Sequence, residues 1–442
     1  SVQAQHMSGK NSGSTAESVP MLKRIGKRVL RVPGSKSLTS RAIVLGALSA
    51  GRSVIRRPLK SEDTTLLVDA MAAIGVGVKW GEAKLILHGV DGKPPHGASV
   101  YLGAGGTPSR FMIATGSLAS DRVTVDGDGR MRQRPIGELL TMLRLLGVKF
   151  DSENLPVTVD GSCISGGSID VPITKSSQFI SALMLIAPFV DGGIELDCRL
   201  PLTSEPYVDL TIDVLKTFGV AVQSSTSQTH RIITVPQTRI THREVEIEPD
   251  ASSAVYFAAV AALHEGMTIT LEGLKLTSKQ PDMKAICLLG ESGADVQQTD
   301  SGVQVTGTGT MRGFGDIDAS EFPDASLCIA AVAAFADSAS YIYGLETLPL
   351  KESDRIEVMA RSLASVGCGV AASENALRIT PIFDAKGSVA IDPAGDHRIA
   401  MAMAVVGTKR GDVSITDTKC VAKSYPTFWS DLRRIYEGRE ES

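Results

Sequence analysis

Hydrophobic residues at helical spacing recur along the chain, each time followed by a glycine and, in most copies, a short valine-containing stretch. The first copy reads LLVDAMAAIGVGV, and the pattern returns as LLTMLRLLGVKF, LTIDVLKTFGVAV, MKAICLLGESGADV, EVMARSLASVGCGV and FWSDLRRIYEG. The glycines lie 71 to 74 residues apart, at Gly75, Gly147, Gly219, Gly293, Gly367 and Gly438. A glycine that closes an amphipathic helix before a strand is a C-cap signal. The pattern therefore predicts six repeats, each with a helix that ends near its glycine.

A second predicted helix interleaves with the first at a similar period. It starts at a polar or glycine-rich turn and continues as an alanine-rich run, in PGSKSLTSRAIVLGALSAG, GAGGTPSRFMIATGSLAS, PITKSSQFISALMLIAPF, EPDASSAVYFAAVAALHEG, EFPDASLCIAAVAAFAD and PAGDHRIAMAMAVVGTKRG. Each repeat of roughly seventy residues thus holds two helices and several strands. Such units are too large for a simple solenoid. Three repeats per domain give two α/β domains of similar size.

The alanine-rich helices are apolar on nearly every side, which predicts that they are buried inside each domain. Their starting turns hold the least expected residues of the chain, namely Lys36, Arg41, Arg110, Ser176, Ser177, Gln178, Asp324, His397 and Arg398. If the repeats are pseudo-symmetric, these turns cluster and several helix N termini converge. Backbone amides and helix dipoles then create a positive field suited to phosphate and carboxylate groups. Lys36 and Arg41, placed where the dipole is already positive, point to an anionic ligand.

Composition limits the classes of protein that fit. The chain has 442 residues, of which 43% are hydrophobic and 21% charged, which is typical of a globular protein with two domains. The net charge of −4 argues against a general nucleic-acid binder, and the longest apolar run is too short for a membrane span. Six cysteines without a CxxC pair indicate free thiols. Residues 1–20, rich in Ser, Gly and Gln, are predicted to form a disordered tail.

Several runs bring cations and acids together outside the buried positions, namely GRMRQRP, KESDRI, DHR and VAKSYP. A charge run is usually a solvated face, but these runs occupy corresponding places in the repeats. Asp324, at a helix start, fits either an N-cap or an acid–base residue. Glu352, between Lys351 and Arg355, fits either an ion pair or the same acid–base chemistry. The histidines lack metal-ligand spacing and no phosphate-loop motif is present, so no metal or cofactor is expected.

Taken in order, these motifs resemble the 5-enolpyruvylshikimate-3-phosphate synthase (EPSP synthase) family of enolpyruvyl transferases. The resemblance runs from about Lys23 to Arg434. It rests on PGSKSLTSRA, LGAGGTPSRF, DGRMRQRPIGEL, KSSQFISALML, TSEPYVDLT, EPDASSAVYF, FPDASL, LKESDRI, DHRIAMA and VAKSYPTFW. No single motif decides the matter, but together they are specific.

The resemblance implies an inverse α/β barrel fold with two domains, each of three βαβαββ repeats, and an active site in the cleft between them. Residues 21–34 plus 249–442 would form the domain that contains both termini, and residues 35–248 the inserted domain. The implied reaction transfers the enolpyruvyl group of phosphoenolpyruvate to the 5-hydroxyl of shikimate 3-phosphate through a tetrahedral intermediate, with release of phosphate. It uses no metal or organic cofactor and belongs to the shikimate pathway to chorismate and aromatic amino acids.

Carried over position by position, the resemblance implies three sets of site residues. The shikimate 3-phosphate contacts would be Lys36, Ser37, Arg41, Ser176, Ser177, Gln178, Ser204, Tyr207, Asp324, Thr347 and Lys351. The phosphoenolpyruvate contacts would be Lys36, Gly106, Thr107, Arg130, Gln178, Arg355, Arg398 and Lys423. Asp324 would take the proton of the 5-hydroxyl and Glu352 would deliver a proton to the methylene carbon. Lys36 and Lys423 would assist proton transfer and stabilise the charged intermediate.

Some positions depart from the family pattern. Ala104 and Gly105 replace the asparagine and alanine of the common LGNAGT, and Thr347 and Pro349 stand in the usual Asn-x-Arg-Val. The lost amide groups bear on affinity more than on the reaction. Gly106 and Thr107 match the glyphosate-sensitive pattern of the family, so the resemblance implies inhibition by glyphosate.

Two other functions remain open on the sequence alone. UDP-N-acetylglucosamine enolpyruvyl transferase shares the fold and the donor, but many members carry a cysteine in the loop matching DGDGRMRQRP, and this chain has none between Tyr101 and Ser162. A non-catalytic anion-binding paralogue is expected to lose its acids or lysines, which are all present here. We expect a cytoplasmic monomer with small-molecule substrates and no nucleic-acid or membrane partner; a plastid protein or a piece of a multienzyme chain also fits the tail.

Overall fold

A computed structural model describes residues 16–174 and 176–438 of the chain. The chain divides into two compact units. The inserted unit is Gly34–Glu248, and the terminal unit comprises the residues up to Pro33 and from Pro249 onward. The resemblance places the changes of domain after residues 34 and 248, and the structure has them after residues 33 and 248.

The strands of the described residues are β1 (Glu17–Val19), β2 (Lys27–Leu30), β3 (Arg52–Arg56), β4 (Gly77–Gly81), β5 (Lys84–His88), β6 (Ala98–Tyr101), β7 (Val123–Asp126), β8 (Lys149–Phe150), β9 (Val157–Asp160), β10 (Gly167–Val171), β11 (Ile194–Arg199), β12 (Gln223–Thr226), β13 (His230–Val235), β14 (Arg243–Glu246), β15 (Thr268–Glu272), β16 (Asp295–Gln298), β17 (Gly302–Thr306), β18 (Gly315–Asp318), β19 (Ser340–Tyr343), β20 (Gly369–Ala372), β21 (Leu377–Thr380), β22 (Val389–Ile391) and β23 (Val413–Ile415).

The helices of these residues are α1 (Lys36–Leu48), α2 (Glu62–Ala73), α3 (Gly106–Gly116), α4 (Gly129–Gln133), α5 (Gly137–Leu145), α6 (Ser177–Ile186), α7 (Glu205–Thr217), α8 (Ala251–Leu263), α9 (Met283–Glu291), α10 (Pro323–Ala333), α11 (Arg355–Ser365), α12 (His397–Arg410) and α13 (Phe428–Glu437). Short 3₁₀ helices span Ala187–Phe189, Leu348–Leu350 and Lys419–Lys423.

The same strand pairing recurs from repeat to repeat. In three sheets the first strand runs parallel to the second, the second is antiparallel to the fourth, and the third lies at the edge. These sheets have the orders β6-β7-β9-β8, β10-β11-β13-β12 and β18-β19-β21-β20. An alanine-rich helix connects the first two strands of each, and an amphipathic helix connects the second to the third. The βαβαββ repeat is therefore confirmed, and the described sheets are separate and open rather than joined into a closed barrel.

The first repeat of each unit is completed by a strand from a distant part of the chain. In the inserted unit β14 pairs in parallel with β3, and in the terminal unit β2 pairs in parallel with β15. The last repeat has a three-stranded sheet of order β1-β23-β22, in which β1 is antiparallel to β23. The prediction of a disordered tail up to residue 20 is therefore wrong for Glu17–Val19, because Val19 is fully buried in this sheet. Residues 1–15 lie outside the described part of the chain.

The six repeat glycines follow the amphipathic helices as the hydrophobic pattern predicts. Their φ angles are all positive and are 113° at Gly75, 96° at Gly147, 87° at Gly219, 135° at Gly293, 110° at Gly367 and 71° at Gly438. Residues other than glycine are strained at such positive φ angles. The C-cap prediction is confirmed, and it explains why glycine recurs at this place in every repeat.

The alanine-rich helices form the centre of each core, as predicted. In α8 every residue except Ser252 is buried, and α8, α10 and α12 pack against one another in the terminal unit. Helices α1, α3 and α6 do the same in the inserted unit. Small side chains allow these helix backbones to approach closely, so each helix places its polar first turn at the end of a packed three-helix core.

Among the described residues, no helix is both long and apolar enough to cross a membrane. All six cysteines are unpaired thiols, and Cys198, Cys328 and Cys368 are buried.

Candidate active site

Three helix starts of the terminal unit meet around the guanidinium group of Arg355, the first residue of α11. Its Nε donates to Asp396 Oδ2 at 2.8 Å, its Nη1 to Asp324 Oδ1 at 2.8 Å and its Nη2 to Glu352 Oε2 at 2.6 Å. Asp396 is the N-cap of α12, and Asp324 is the second residue of α10. Arg355 is only 1% exposed. It therefore holds both candidate acids, Asp324 and Glu352, in fixed positions.

The charges around Asp324 determine its protonation state. Burial alone would raise the pKa of Asp324, but the charges of Lys351, Arg355 and Arg398 lower it below the usual range of an aspartate. The Lys351 Nζ lies 3.6 Å from Asp324 Oδ1. Burial alone would likewise lower the pKa of Arg355, but its carboxylate partners raise it above the usual value. Asp324 is thus a carboxylate at neutral pH and can accept a proton.

The sequence offers a structural explanation for each acid, an N-cap for Asp324 and an ion pair for Glu352, and the structure supports only the second. The N-cap of α10 is Phe322, which makes no side-chain capping bond, so capping does not account for Asp324. The ion pairing expected for Glu352 is present, because its Oε1 contacts Lys423 Nζ while its Oε2 accepts from Arg355. Lys423 is 5% exposed. This pairing places an ammonium proton directly against the Glu352 carboxylate.

Arg398 lies one residue into α12 and is 3% exposed. Burial alone would lower its pKa, but Tyr256 and the carboxylates of Asp324, Asp250 and Asp282 raise it well above the usual value. Asp282 is itself 1% exposed, and burial together with the charge of Asp324 raises its pKa to about 7. Arg398 is therefore a buried cation whose Nε has no acceptor among the described residues.

Glu352, Asp396 and His397 place possible metal-ligand atoms within 4.8 Å of one another. The Nη2 of Arg355 already lies among them, 2.6 Å from Glu352 Oε2, 3.2 Å from Asp396 Oδ1 and 3.4 Å from His397 Nε2. A guanidinium group in that place competes with a metal ion for the same lone pairs. These residues therefore fit a cationic side chain better than a metal.

In the inserted unit, α1 begins with the predicted Lys36. Its Nζ lies 3.6 Å from Oδ2 of Asp63, the second residue of α2. Asp63 is 1% exposed, whereas the Lys36 side chain keeps 16% of its surface accessible. The buried carboxylate thus holds a partly accessible ammonium group at a helix N terminus.

The start of α6 is joined to a second buried arginine, Arg110, which is 3% exposed. Its Nη1 donates to Gln178 Oε1 and its Nη2 to the Pro135 carbonyl at 3.0 Å. Ser176 is the N-cap of α6 and accepts from the Gln178 backbone nitrogen at 3.2 Å. The guanidinium group also lies over the Phe179 ring, 5.1 Å from its centre. These contacts fix the side chain of Gln178, a residue predicted for both substrates.

The start of α3 has a third arginine, Arg134, packed on its first residue, Gly106. A Cβ atom at Gly106 would lie 2.6 Å from Arg134 Nη2. Arg134 is 4% exposed, and its Nη1 donates to the Ala104 carbonyl at 3.4 Å. The backbone of residue 104 makes this contact, so the departure from the family pattern at Ala104 does not remove it.

Ser204 and Tyr207 lie at the start of α7. Ser204 has φ +49°, a left-handed conformation that is uncommon for a residue other than glycine. Its carbonyl accepts from the Tyr207 nitrogen at 3.1 Å, which closes a tight turn. Ser204 occupies the N-cap position of α7, but its side chain makes no capping hydrogen bond.

The predicted residues fall into two groups, one in each unit. In the terminal unit they are Asp324, Thr347, Lys351, Glu352, Arg355, Arg398 and Lys423. In the inserted unit they are Lys36, Ser37, Arg41, Gly106, Thr107, Arg130, Ser176, Ser177, Gln178, Ser204 and Tyr207. The contacts above join most of the first group around Arg355 and place Lys36, Gly106 and Gln178 against the buried charged side chains of Asp63, Arg134 and Arg110. The roles of all these residues stay predictions.

Sequence reasoning did not assign a site role to several residues that the structure places here. They are Asp63, Arg110, Arg134, Asp396 and His397. Arg134 lies in the same RMRQRP run as Arg130, and the run alone does not show which guanidinium group reaches α3. The repeat pattern does place Arg110 and His397 at the polar helix starts, but the family resemblance assigns neither of them to a substrate.

Known proteins are similar to this chain over nearly its whole length. The family described as EPSP synthase (3-phosphoshikimate 1-carboxyvinyltransferase) matches residues 21–432. A protein of this name from Syntrophobacter fumaroxidans is 35% identical over 419 residues, covering 92% of this chain and 97% of that protein. One from Methanosphaerula palustris is 39% identical over 407 residues, with coverages of 90% and 95%. A solved EPSP synthase structure from Acinetobacter baumannii has a TM-score of 0.78 at 25% identity, with coverages of 95% and 97%.

Proposed function

The chain belongs to the EPSP synthase family, and from that premise we propose that it is a 3-phosphoshikimate 1-carboxyvinyltransferase. It transfers the enolpyruvyl group of phosphoenolpyruvate to the 5-hydroxyl of shikimate 3-phosphate and releases phosphate. This is a step of the shikimate pathway towards aromatic amino acids. The observation that carries the proposal is the pair of carboxylates, Asp324 and Glu352, that one buried arginine holds beside two lysines.

Adding a hydroxyl group across the double bond of phosphoenolpyruvate needs a base and an acid. The 5-hydroxyl oxygen bonds to the substituted carbon of the double bond, and its proton passes to Asp324. Glu352, which holds a proton received from the Lys423 ammonium group in contact with it, gives that proton to the methylene carbon, which becomes a methyl group. The product of this step is a tetrahedral intermediate that carries both the new ether and the phosphate.

Elimination reverses the second proton transfer. The methyl group returns a proton to Glu352, the double bond forms again, the carbon–oxygen bond to phosphate breaks, and the proton held by Asp324 passes to the departing phosphate. Lys423 contacts Glu352, so it assists this transfer and balances the charge of the departing phosphate. Asp324 starts as a carboxylate because three cations lower its pKa, so it is free of a proton before the reaction, although the same cations make it a weaker base than an ordinary aspartate.

The cations of the inserted unit fit the binding of two polyanionic substrates. Lys36, Gln178 and Arg134 are the candidates for phosphoenolpyruvate, because Lys36 and Gln178 lie at the starts of α1 and α6 and Arg134 packs on the start of α3. Arg41, with Ser176, Ser204 and Tyr207, is assigned to shikimate 3-phosphate. Arg355 and Arg398 of the terminal unit serve the donor as well. Both candidate acids, Asp324 and Glu352, belong to the terminal unit.

The test is phosphate release from phosphoenolpyruvate with shikimate 3-phosphate or UDP-N-acetylglucosamine as the acceptor. Asp324→Asn and Glu352→Gln keep the size of each side chain and remove its acid–base function. Each should lower kcat by about 10² to 10⁴-fold. Asp316→Asn, at an exposed carboxylate in β18, is the matched control and should keep wild-type turnover. Turnover with UDP-N-acetylglucosamine, or with neither acceptor, would refute the proposal.

A further inference from the structure

Arg41 is a buried cation, 2% exposed, whose partners within the described residues are all neutral. Its Nε donates to Thr211 Oγ1 at 2.8 Å, its Nη2 to Ser181 Oγ at 3.2 Å and its Nη1 to the Ser37 carbonyl at 3.1 Å. The ring of Phe111 lies below, with its centre 5.4 Å from the guanidinium carbon. No carboxylate of the described residues forms an ion pair with it.

The two hydroxyl groups can point in only one way. Thr211 Oγ1 lies 2.8 Å from the Tyr207 carbonyl and must donate its proton there. It can then only accept from Arg41 and from Ser181 Oγ, which lies 3.0 Å away. Ser181 accepts from Arg41 in turn. Both hydroxyl protons are engaged and both oxygens accept from Arg41, so the guanidinium group is oriented by neutral groups and keeps its charge.

Two buried arginines of the terminal unit, Arg355 and Arg398, differ from Arg41 in this respect. Arg355 donates hydrogen bonds to three carboxylates, and the charges of three aspartates raise the pKa of Arg398. Burial instead lowers the pKa of Arg41, to about 10, with a small opposing effect of Tyr207. Opposite charge stabilises a buried ion, and this position lacks it. Burying a cation in this way destabilises the unliganded protein and makes sense if an anion completes the pair.

We propose that Ser181 and Thr211 are positioning residues that hold Arg41 as an uncompensated cation, so that an oxyanion of shikimate 3-phosphate becomes its counter-ion. The proposal rests on the assignment of Arg41 to that substrate under the proposed function. We call the Ser181 and Thr211 hydroxyl groups and the Ser37 carbonyl the neutral shell of Arg41. Because this shell contains no carboxylate that the ligand would have to displace, the full charge of Arg41 attracts the ligand. The site should therefore prefer an anionic substrate, because a neutral substrate of similar shape would leave the buried charge of Arg41 unpaired.

Four variants of the full chain test the proposal by titration with shikimate 3-phosphate and by steady-state kinetics. Thr211→Val keeps the shape and removes the hydroxyl, and we expect the Kd for shikimate 3-phosphate to rise about 10- to 100-fold, the effect of one charged hydrogen bond. The value of kcat at saturation and the KM for phosphoenolpyruvate should stay within about threefold. Thr211→Ser restores the hydroxyl and should restore the affinity.

Ser181→Ala and Ser181→Asp separate positioning from charge. The aspartate offers the guanidinium group a better acceptor than alanine does, so a purely positional role predicts tighter binding by Ser181→Asp. Our proposal predicts weaker binding by Ser181→Asp than by Ser181→Ala, because the new carboxylate neutralises Arg41 before shikimate 3-phosphate arrives. Equal or tighter binding by Ser181→Asp, or unchanged binding by Thr211→Val, would overturn the proposal. If Thr211→Val does not fold, the Ser181 pair decides.

A second readout keeps this inference distinct from the proposed function. Inorganic phosphate should raise the Tm of the wild type and of Ser181→Ala, and should raise that of Ser181→Asp less. If this order holds while shikimate 3-phosphate is not turned over, the proposed function fails and the neutral shell stands. If neither phosphate nor shikimate 3-phosphate binds the wild type, both are refuted.

Discussion

Adding a single methyl group at Gly106 should weaken phosphoenolpyruvate binding without harming the fold. Gly106 is the first residue of α3, and its backbone conformation suits any residue. Alanine in a helix is favoured over glycine by about 0.5–1 kcal/mol, so the change by itself should not lower stability. The new Cβ, however, would lie 2.6 Å from Nη2, 2.8 Å from Nη1 and 2.9 Å from Cζ of Arg134.

The size of the effect follows from that distance. A comfortable contact is about 3.5 Å, so the guanidinium group must withdraw by about 1 Å. It is the end of a flexible side chain and can do so, which confines the damage to the ligand that it holds. A displacement of about 1 Å at a charged binding group weakens binding by roughly 10- to 100-fold. We expect the KM for phosphoenolpyruvate to rise by that factor and the KM for shikimate 3-phosphate to change less than about threefold.

Gly137→Ala is the matched control for this substitution. Gly137 is likewise the first residue of a helix, α5, and a Cβ there meets no atom within 4 Å. Steady-state kinetics with each substrate varied, together with thermal unfolding, should show equal Tm values for the two variants and a rise in KM for Gly106→Ala alone. A phosphoenolpyruvate KM equal to that of Gly137→Ala would refute the contact between Arg134 and the donor. A large loss of Tm would show that the clash is relieved by the backbone instead.

Three further predictions test other parts of the structure. Arg134→Ala should raise the KM for phosphoenolpyruvate about tenfold or more, and Arg130→Ala should raise it less, since only Arg134 packs on Gly106; the opposite order would restore the sequence-based choice of Arg130. Burial and Asp324 raise the pKa of Asp282 from 3.8 to about 7, so the folded protein holds a proton there that the unfolded chain releases, and stability falls as the pH rises through that range. Asp282→Asn removes this loss, and its Tm advantage over the wild type should be larger at pH 8 than at pH 5; a difference independent of pH would contradict the assignment. Val19→Ala should lower the free energy of unfolding by about 2 kcal/mol in urea denaturation, because Val19 is fully buried, whereas Ser18→Ala on the exposed side of β1 should have little effect.

The repeat architecture could be predicted from the sequence because its signals are local and recur. A glycine with positive φ must follow each amphipathic helix, and an alanine-rich helix must be buried, wherever the neighbours lie. The strand β1 escaped prediction because ESV has no periodicity of its own, and its burial comes from β23 nearly four hundred residues later in the chain. Tertiary pairing, rather than local preference, makes these residues a strand.

The candidate site could be predicted as a set of polar helix starts but not as a set of contacts. Lys36, Gln178 and Asp324 stand out as polar residues at the start of apolar helices. Asp63 and Asp396 do not, because an acid in a helix's first turn or at its N-cap is ordinary there and needs no ligand to explain it. Their importance lies in the cations that they hold, which are distant in sequence.

The two distant strands that complete the first sheets affect how the polypeptide folds as it leaves the ribosome. Strand β14 ends at Glu246 and closes the inserted unit on itself, so that unit can finish folding while much of the chain is still to be made. Strand β2 ends at Leu30 but its partner β15 begins at Thr268, so the terminal unit waits with an unpaired strand until the inserted unit has been synthesised. Long-range parallel pairing of this kind is slow and leaves a strand edge open to other chains. Until β15 is synthesised, the nascent chain therefore has a strand that aggregation partners or a chaperone can reach.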